Sequence, residues 1–62
     1  MSRKTSKLQA NRPREMTQEF VASKVGVSIV TISNWERGVS APNARQLSTL
    51  ANLYGCEMAD LM

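Results

Sequence analysis

The feature that most constrains this chain is the one-residue gap between two helix signals. Gly26 follows a helical spacing of apolar residues and ends it as a left-handed C-cap glycine does. Ser28 is a favourable N-cap for another helix, so only Val27 separates the two elements. Two helices that meet at such a tight glycine turn form a helix-turn-helix, predicted here over about residues 17 to 37.

The two helices of this motif are predicted from their caps and their apolar spacing. The first follows Thr17 as N-cap and spans about residues 18 to 24, with Phe20, Val21 and Val25 facing inward. The second runs to residue 36 or 37, where Gly38 ends it.

Shorter elements flank this motif. Pro13 ends a first short helix over residues 5 to 11 or 12. Asn43 and Gln46 form a predicted capping box that opens a helix through residue 53 or 54, and a final helical turn covers residues 57 to 61. The predicted inward side chains are Leu8, Met16, Leu47, Leu50, Ala51, Tyr54, Met58 and Leu61. We therefore expect an all-α, compact bundle of about five short helices in one domain over residues 5 to 62, preceded by a flexible basic arm at residues 1 to 4.

The composition argues against catalysis. With no histidine and one cysteine, the chain lacks the ligands of a zinc site and the usual general base, so we expect no enzyme activity, no metal and no cofactor. Cys56 cannot form an intrachain disulfide, which favours a reducing compartment, and a buried inert thiol is favoured over a redox switch. No apolar run resembles a signal peptide or a membrane span, so the expected location is the cytoplasm.

The positive charge is unevenly distributed along the chain. The net charge is +3, with six basic and two acidic residues in positions 1 to 31 but two basic and three acidic residues in positions 32 to 62. This asymmetry fits a protein that turns one basic side toward a polyanion such as nucleic acid, although a solvated basic tail gives the same pattern.

The second helix of the motif carries more apolar residues than one short helix can bury. In the stretch GVSIVTISNWERG, Ile32 and Trp35 are three residues apart and share one face, and Trp35 is interpreted as a core residue. Ile29 and Val30 cannot both join that face without wrapping the apolar stripe around the helix. The sequence thus raises the question of what Ile29 and Val30 contact.

From Met16 to Leu61 the chain resembles the lambda-repressor-like helix-turn-helix domain of phage repressors, Cro proteins and the XRE group of bacterial regulators. The resemblance runs through TQEFVASKVGVSIVTISNWERG and then through the APN and LSTLANLYG segments. The positions that match the family pattern are Gln18, Val21, Ala22, Val25, Gly26, Val27, Ile32 and Trp35. Ala22 is expected to be small because the two helices cross closely there.

The resemblance implies sequence-specific binding of double-stranded DNA, with the second helix of the motif in the major groove. The expected base-reading residues are Ile29, Val30, Ser33 and Asn34, flanked by Ser28 and Thr31. Ile29 and Val30 would contact thymine methyl groups, and the amide of Asn34 would pair with adenine, which predicts an A·T-rich half-site. Two alternatives stay open: Ile29 packs under the first helix or its arm, or the apolar pair contacts a protein.

Phosphate contacts are expected from residues that frame the groove. Family members commonly clamp a phosphate with the glutamine at the Gln18 position, at a helix N-terminus that suits an anion. The expected phosphate-binding residues are Thr17, Gln18, Lys24, Arg37, Asn43 and Arg45, with Arg12 and Arg14 as further candidates, and for each basic side chain a solvated surface charge is the alternative.

Two further expectations concern Glu36 and the C-terminal end. Relatives often pair the glutamate at the Glu36 position with an arginine where this chain has Asn11, so Glu36 is expected to pair with Arg12 or Arg14, or to hydrogen-bond Asn11. Relatives bind as two-fold dimers on half-sites about one helical turn apart. The expected dimer patch consists of Tyr54, Met58, Leu61 and Met62.

The combined expectation is a small Cro-like or XRE-type regulator of a bacterial or phage-infected cell, or the DNA-binding part of a longer one. It would repress transcription by occupying a palindromic operator, as a homodimer that forms in solution or only on DNA. The competing hypothesis is an antitoxin-like or accessory module that uses the same fold to bind a protein partner.

Overall fold

The computed structural model describes residues 6–62. Within them lie four α-helices, α1 (Lys7–Asn11), α2 (Gln18–Val25), α3 (Ile29–Arg37) and α4 (Ala44–Tyr54), followed by a 3-10 helix (Met58–Leu61). These five short elements confirm the all-α class. The predicted arm at residues 1 to 4 lies outside the described residues, as does Thr5.

Each of the four α-helices begins at a side-chain cap. The side-chain oxygens of Ser6, Thr17, Ser28 and Asn43 accept hydrogen bonds from the backbone N–H three residues ahead, at 3.1, 3.1, 3.2 and 2.8 Å. Gln46 returns the bond, because its Oε1 accepts from the Asn43 N–H at 2.9 Å and completes the predicted capping box. Such a cap stabilises a helix by about 1 kcal/mol, which matters for elements this short.

The turn between α2 and α3 depends on Gly26. Its φ of +86° lies in the left-handed region, where side chains other than glycine's are strained. The N–H groups of Gly26 and Val27 both donate to the carbonyl of Ala22, at 2.8 and 3.0 Å, which satisfies the end of α2. A Cβ at Gly26 would meet no atom within 4 Å, so backbone conformation and not crowding requires glycine here.

The core lies where α2, α3 and α4 meet, and α1 and the 3-10 helix close it. Its fully buried side chains are Val21, Ile32 and Leu50, and Trp35 is buried beside them, as predicted. The other buried hydrophobic residues are Leu8, Ala22, Ala51 and Leu61. Met16, Val25, Leu47, Tyr54 and Met58 are partly buried against this cluster.

One predicted core residue is not in the core. Phe20 is 42% exposed. Adjacent residues on a helix point about 100° apart, so Val21 takes the inward position together with Val25 four residues on. The Nζ atom of Lys24 lies 5.4 Å from the centre of the Phe20 ring, on the outer side of α2.

The end of α1 is fixed by its sequence and by a contact with the C-terminal segment. Arg12 has an extended backbone, with ψ of 121°, as expected of a residue that precedes proline. The Nδ2 of Asn11 donates to the Asp60 carbonyl at 3.2 Å, which joins α1 to the 3-10 helix. Among residues 6–62, no helix has the length and apolar character needed to cross a membrane.

Candidate nucleic-acid interface

The helix α3 divides into a buried inner face and an exposed outer face. Ile32, Trp35 and Glu36 are buried against the rest of the domain. Ile29 is 46% exposed and Val30 is 62% exposed, so both point away from the core. This bears on the question raised by the sequence: both apolar side chains lie at the surface, Val30 more than Ile29.

The outer face of α3 consists of Ile29, Val30, Ser33, Asn34 and Arg37. Residues three and four apart on a helix are neighbours, and this spacing joins all five into one strip. Ser33 and Asn34 are partly exposed, whereas Arg37 is exposed. The strip combines an apolar N-terminal half with a polar and basic C-terminal half.

Ser28 and Thr31, the predicted flanking residues, hold the start of α3. The Ser28 hydroxyl caps the helix through the Thr31 N–H, and the two hydroxyl oxygens lie 3.0 Å apart. Ser28 is exposed and Thr31 partly exposed. Both hydroxyl groups therefore form hydrogen bonds at the start of α3 and are also accessible to solvent.

Asn34 and Arg37 are joined on the outer face. The Nη2 of Arg37 donates to the Oδ1 of Asn34 at 2.7 Å. The sequence placed Asn34 among base readers and Arg37 among phosphate contacts, with no link between them. Their spacing of three residues on one helix was the signal for this contact.

A buried ion pair lies on the inner face of α3. Arg12 donates from Nε to Glu36 Oε2 at 2.7 Å and from Nη2 to Oε1 at 3.4 Å, and its Nη1 donates to the Met16 carbonyl. The side chain of Glu36 is 4% exposed and that of Arg12 is 19% exposed. Of the predicted partners of Glu36, Arg12 is the one found, while Asn11 bonds elsewhere.

Gln18 completes this buried cluster. Its Nε2 donates to Glu36 Oε1 at 2.8 Å. The guanidinium of Arg12 and the amide nitrogen of Gln18 thus both bond to the buried carboxylate, and their phosphate contacts stay a prediction. A buried carboxylate requires such partners, since leaving it unpaired is costly.

The remaining predicted phosphate-binding residues lie at the surface. Arg14, Thr17, Lys24, Asn43 and Arg45 are all exposed. Thr17 and Asn43 cap α2 and α4, so they stand where each helix leaves its first N–H groups without partners inside the helix. Thr17 and Asn43 therefore lie at helix N-termini, which suit an anion.

The C-terminal residues predicted as a dimer patch have different environments. Leu61 is buried in the core at 5% exposure, so it contributes little surface for a partner. Tyr54 and Met58 are partly buried, and Met62 is exposed. Val39, which was not predicted for this patch, is exposed and lines the same open groove as Met62. It follows a helix-ending glycine, where no periodic pattern indicates which way a side chain points.

Two titratable side chains near the core have shifted pKa values. Burial, with smaller contributions from the negative charge of Glu36 and from Cys56, raises the pKa of Tyr54 to about 12, although the positive charge of Arg12 opposes this rise. Burial also raises the pKa of the Cys56 thiol, as do the carboxylates of Asp60 and Glu57. Both groups are therefore protonated at neutral pH. Within residues 6–62, no group of three or more side chains is arranged to hold a metal ion.

The fold has the features of the helix-turn-helix class. Two capped helices are joined by a glycine turn, and the outer face of the second helix is not buried. A model described as helix-turn-helix matches residues 9–61, and the chain belongs to this family, of the Cro and XRE type. It is a family of DNA-binding transcription regulators. Searches of curated proteins and of solved structures gave no significant match.

Proposed function

We propose that this protein binds double-stranded DNA sequence-specifically and represses transcription by occupying an operator, with α3 in the major groove. The observation that carries the proposal is the exposure of Ile29 and Val30 on a helix whose opposite face is buried. A helix fixed to the domain by Ile32 and Trp35 presents its outer face rigidly, and the major groove admits an α-helix.

Base reading is assigned to the outer face of α3. Ile29 and Val30 lie next to each other and are exposed, so they can pack against the C5-methyl groups of thymine. Ser33 and Asn34 add hydrogen-bonding groups one turn further along the helix, and Ser28 and Thr31 flank the start. An apolar pair of this kind favours A·T pairs at the positions that it contacts.

Phosphate binding is assigned to the exposed residues around the groove. Lys24, Arg14 and Arg45 supply positive charge, and Arg37 extends from the outer face of α3. The N-termini of α2 and α4, at Thr17 and Asn43, supply free N–H groups. Arg12 and Gln18 complete the set through the N–H groups that their bonds to Glu36 leave free. Such contacts position the protein without reading sequence.

The proposal includes a homodimer on a palindromic operator, formed in solution or on DNA. Met62 and Val39 are exposed apolar residues that line one groove. Tyr54 and Met58, which precede Met62 in the chain, are partly exposed. Two copies related by a two-fold axis would place their α3 helices in successive major grooves, about 34 Å apart. We assign the protein no catalytic role and place it in the cytoplasm, in association with the nucleoid.

Selection from a pool of random duplexes at near-physiological salt tests this function. We expect enrichment of a palindromic motif whose half-site centres lie about one helical turn apart, with thymine at defined positions. Enrichment of no motif by the folded protein would contradict sequence-specific binding. A single asymmetric half-site would contradict the dimer while preserving base reading.

The second candidate function is binding of a protein partner through Ile29 and Val30. It is favoured by the same exposure, because two adjacent exposed apolar side chains also suit a protein interface. Salt dependence separates the two. If five or more phosphates are contacted, log affinity against log salt should fall with a slope of about −4 or steeper, whereas a slope near zero would favour the protein partner.

A further inference from the structure

The pair formed by Asn34 and Arg37 changes what the C-terminal half of the outer face of α3 can recognise. Their hydrogen bond, 2.7 Å from the Nη2 of Arg37 to the Oδ1 of Asn34, joins two side chains one turn apart on the same face. A guanidinium has five N–H donors and no acceptor. It can therefore bond only to the oxygen of the amide, which fixes the orientation of the Asn34 side chain.

This orientation leaves Asn34 with its Nδ2 hydrogens to offer to a base. A free asparagine pairs with adenine by two bonds, in which its oxygen accepts from N6 and its nitrogen donates to N7. Here the oxygen already accepts from Arg37, and the guanidinium charge stands beside it. Only the second lone pair of this oxygen is left to accept from adenine N6. The N6 amino group, whose hydrogens are partly positive, would also approach the positively charged guanidinium of Arg37.

We propose that Arg37 is a specificity-determining residue, because its hold on Asn34 makes this end of α3 a donor-only surface that selects guanine over adenine. Guanine presents two acceptors, N7 and O6, to the major groove, whereas adenine presents one acceptor and one donor. The two hydrogens of the Asn34 Nδ2 group face the two acceptors of guanine, while Arg37 acts on the base only by holding the amide oxygen. The inference rests on the proposed function and replaces the adenine pairing that the sequence indicated for Asn34.

The proposal also predicts how the half-site is arranged. Asn34 lies four residues beyond Val30, a rise of about 6 Å along the helix, which corresponds to roughly two base-pair steps. Thymine methyl groups at the apolar half of the outer face should therefore be followed by guanine about two base pairs away. A uniformly A·T-rich half-site is not expected.

The test is selection from random duplexes with the wild-type protein and four variants. Asn34→Ala identifies the position, since its base preference should disappear there alone. At that position the wild type should prefer guanine over adenine by on the order of ten-fold. Arg37→Met, which frees the amide oxygen, should shift the preference to adenine, while Arg37→Lys, which can still donate to that oxygen, should retain guanine.

Arg45→Met serves as the charge-matched control, because Arg45 lies on α4, away from the outer face. Like Arg37→Met it removes one positive charge, but it should weaken binding to all sequences and leave the guanine preference intact. Each variant is checked for an unchanged thermal unfolding transition before selection.

The outcomes distinguish this inference from the function on which it rests. Adenine at the Asn34 position in the wild type, guanine retained by Arg37→Met, or no position lost in Asn34→Ala would each overturn the donor-only assignment while leaving DNA binding in place. Enrichment of no sequence by any protein in the set would overturn the proposed function and this inference together.

Discussion

Two arginines, Arg12 from outside α3 and Arg37 within it, donate hydrogen bonds to side chains of that helix, and their surroundings differ. Arg12 approaches the inner face and forms an ion pair with Glu36, whose side chain is 4% exposed. Arg37 lies on the outer face and donates to Asn34 in contact with solvent. The sequence assigned both arginines the same role, a contact with phosphate, so only their surroundings separate them.

The difference between the pairs shows where stability and recognition reside in this domain. Glu36 can be buried because Arg12 and Gln18 donate hydrogen bonds to both of its carboxylate oxygens. Loss of either partner should therefore destabilise the folded state. The pair of Asn34 and Arg37 has no such constraint, because solvent can replace either partner. The inner pair should therefore control folding, and the outer pair should control which base is read.

The largest expected effect comes from exchanging the two arginines for methionine. Arg12→Met should lower the free energy of unfolding by about 3 kcal/mol, because it leaves the buried carboxylate of Glu36 without its charge partner. Arg37→Met, at an exposed position, should lower it by at most about 0.5 kcal/mol. Urea unfolding followed by the fluorescence of Trp35, the single tryptophan, measures both.

A double variant sharpens this comparison. Arg12→Met combined with Glu36→Met removes both buried charges and should be more stable than Arg12→Met alone, since no unpaired carboxylate remains. Equal losses for Arg12→Met and Arg37→Met would show that the inner pair has no special role.

An intermediate effect on stability is expected at the N-cap of α3, the helix that carries both the inner and the outer face. Ser28→Ala removes the acceptor of the Thr31 N–H, 3.2 Å away, and should lower the free energy of unfolding by about 1 kcal/mol. Ser23→Ala, an exposed serine inside α2, is the matched control and should change stability by less than about 0.5 kcal/mol. Thermal unfolding of both variants decides, and equal effects would argue against the cap.

A pH dependence of stability also reports on the inner pair. Because the folded state holds the proton of Tyr54 up to a pKa of about 12, compared with 10.0 for the free side chain, unfolding becomes easier as pH rises from 10 to 12. The stabilisation is complete below pH 10 and is lost as pH passes 12. Tyr54→Phe should remove the contribution of Tyr54 and leave the one that comes from the raised pKa of Cys56.

The titration of Tyr54 also separates the two pairs. Tyr54 is the single tyrosine, so the absorbance of tyrosinate follows it directly. Glu36→Gln removes a negative charge that raises the pKa of Tyr54, so that pKa should fall. Arg37→Met should leave it unchanged. A shift with Arg37→Met and none with Glu36→Gln would reverse the account.

The helices could be predicted from the sequence because their signals are local. Thr17, Ser28 and Asn43 each cap the next helix, and Gly26 and Gly55 end helices with positive φ, which depends on one residue and its neighbours. The inward position of Trp35 followed from its spacing with Ile32. The exposure of Ile29 and Val30 followed because a short helix has only one face to bury.

Long side chains could not be placed in this way. Arg12 and Glu36 are 24 residues apart, so nothing local shows which basic residue reaches the carboxylate. Gln18 starts α2, where a phosphate contact and a bond to Glu36 are equally open to a flexible amide. Phe20 was misplaced because it and Val21 both fit the inward spacing of α2, and tertiary packing selected the smaller residue.

The measurement that tests the central claim most directly is a specificity ratio, the affinity for a selected duplex divided by the affinity for a random duplex. It is measured for the wild type and for the double variant Ile29→Ser with Val30→Ser. Both positions are exposed, so the variant should fold like the wild type. We expect its ratio to fall at least ten-fold toward 1, while its salt dependence on random DNA stays the same, because phosphate contacts are untouched. An unchanged ratio would contradict base reading by the outer face of α3.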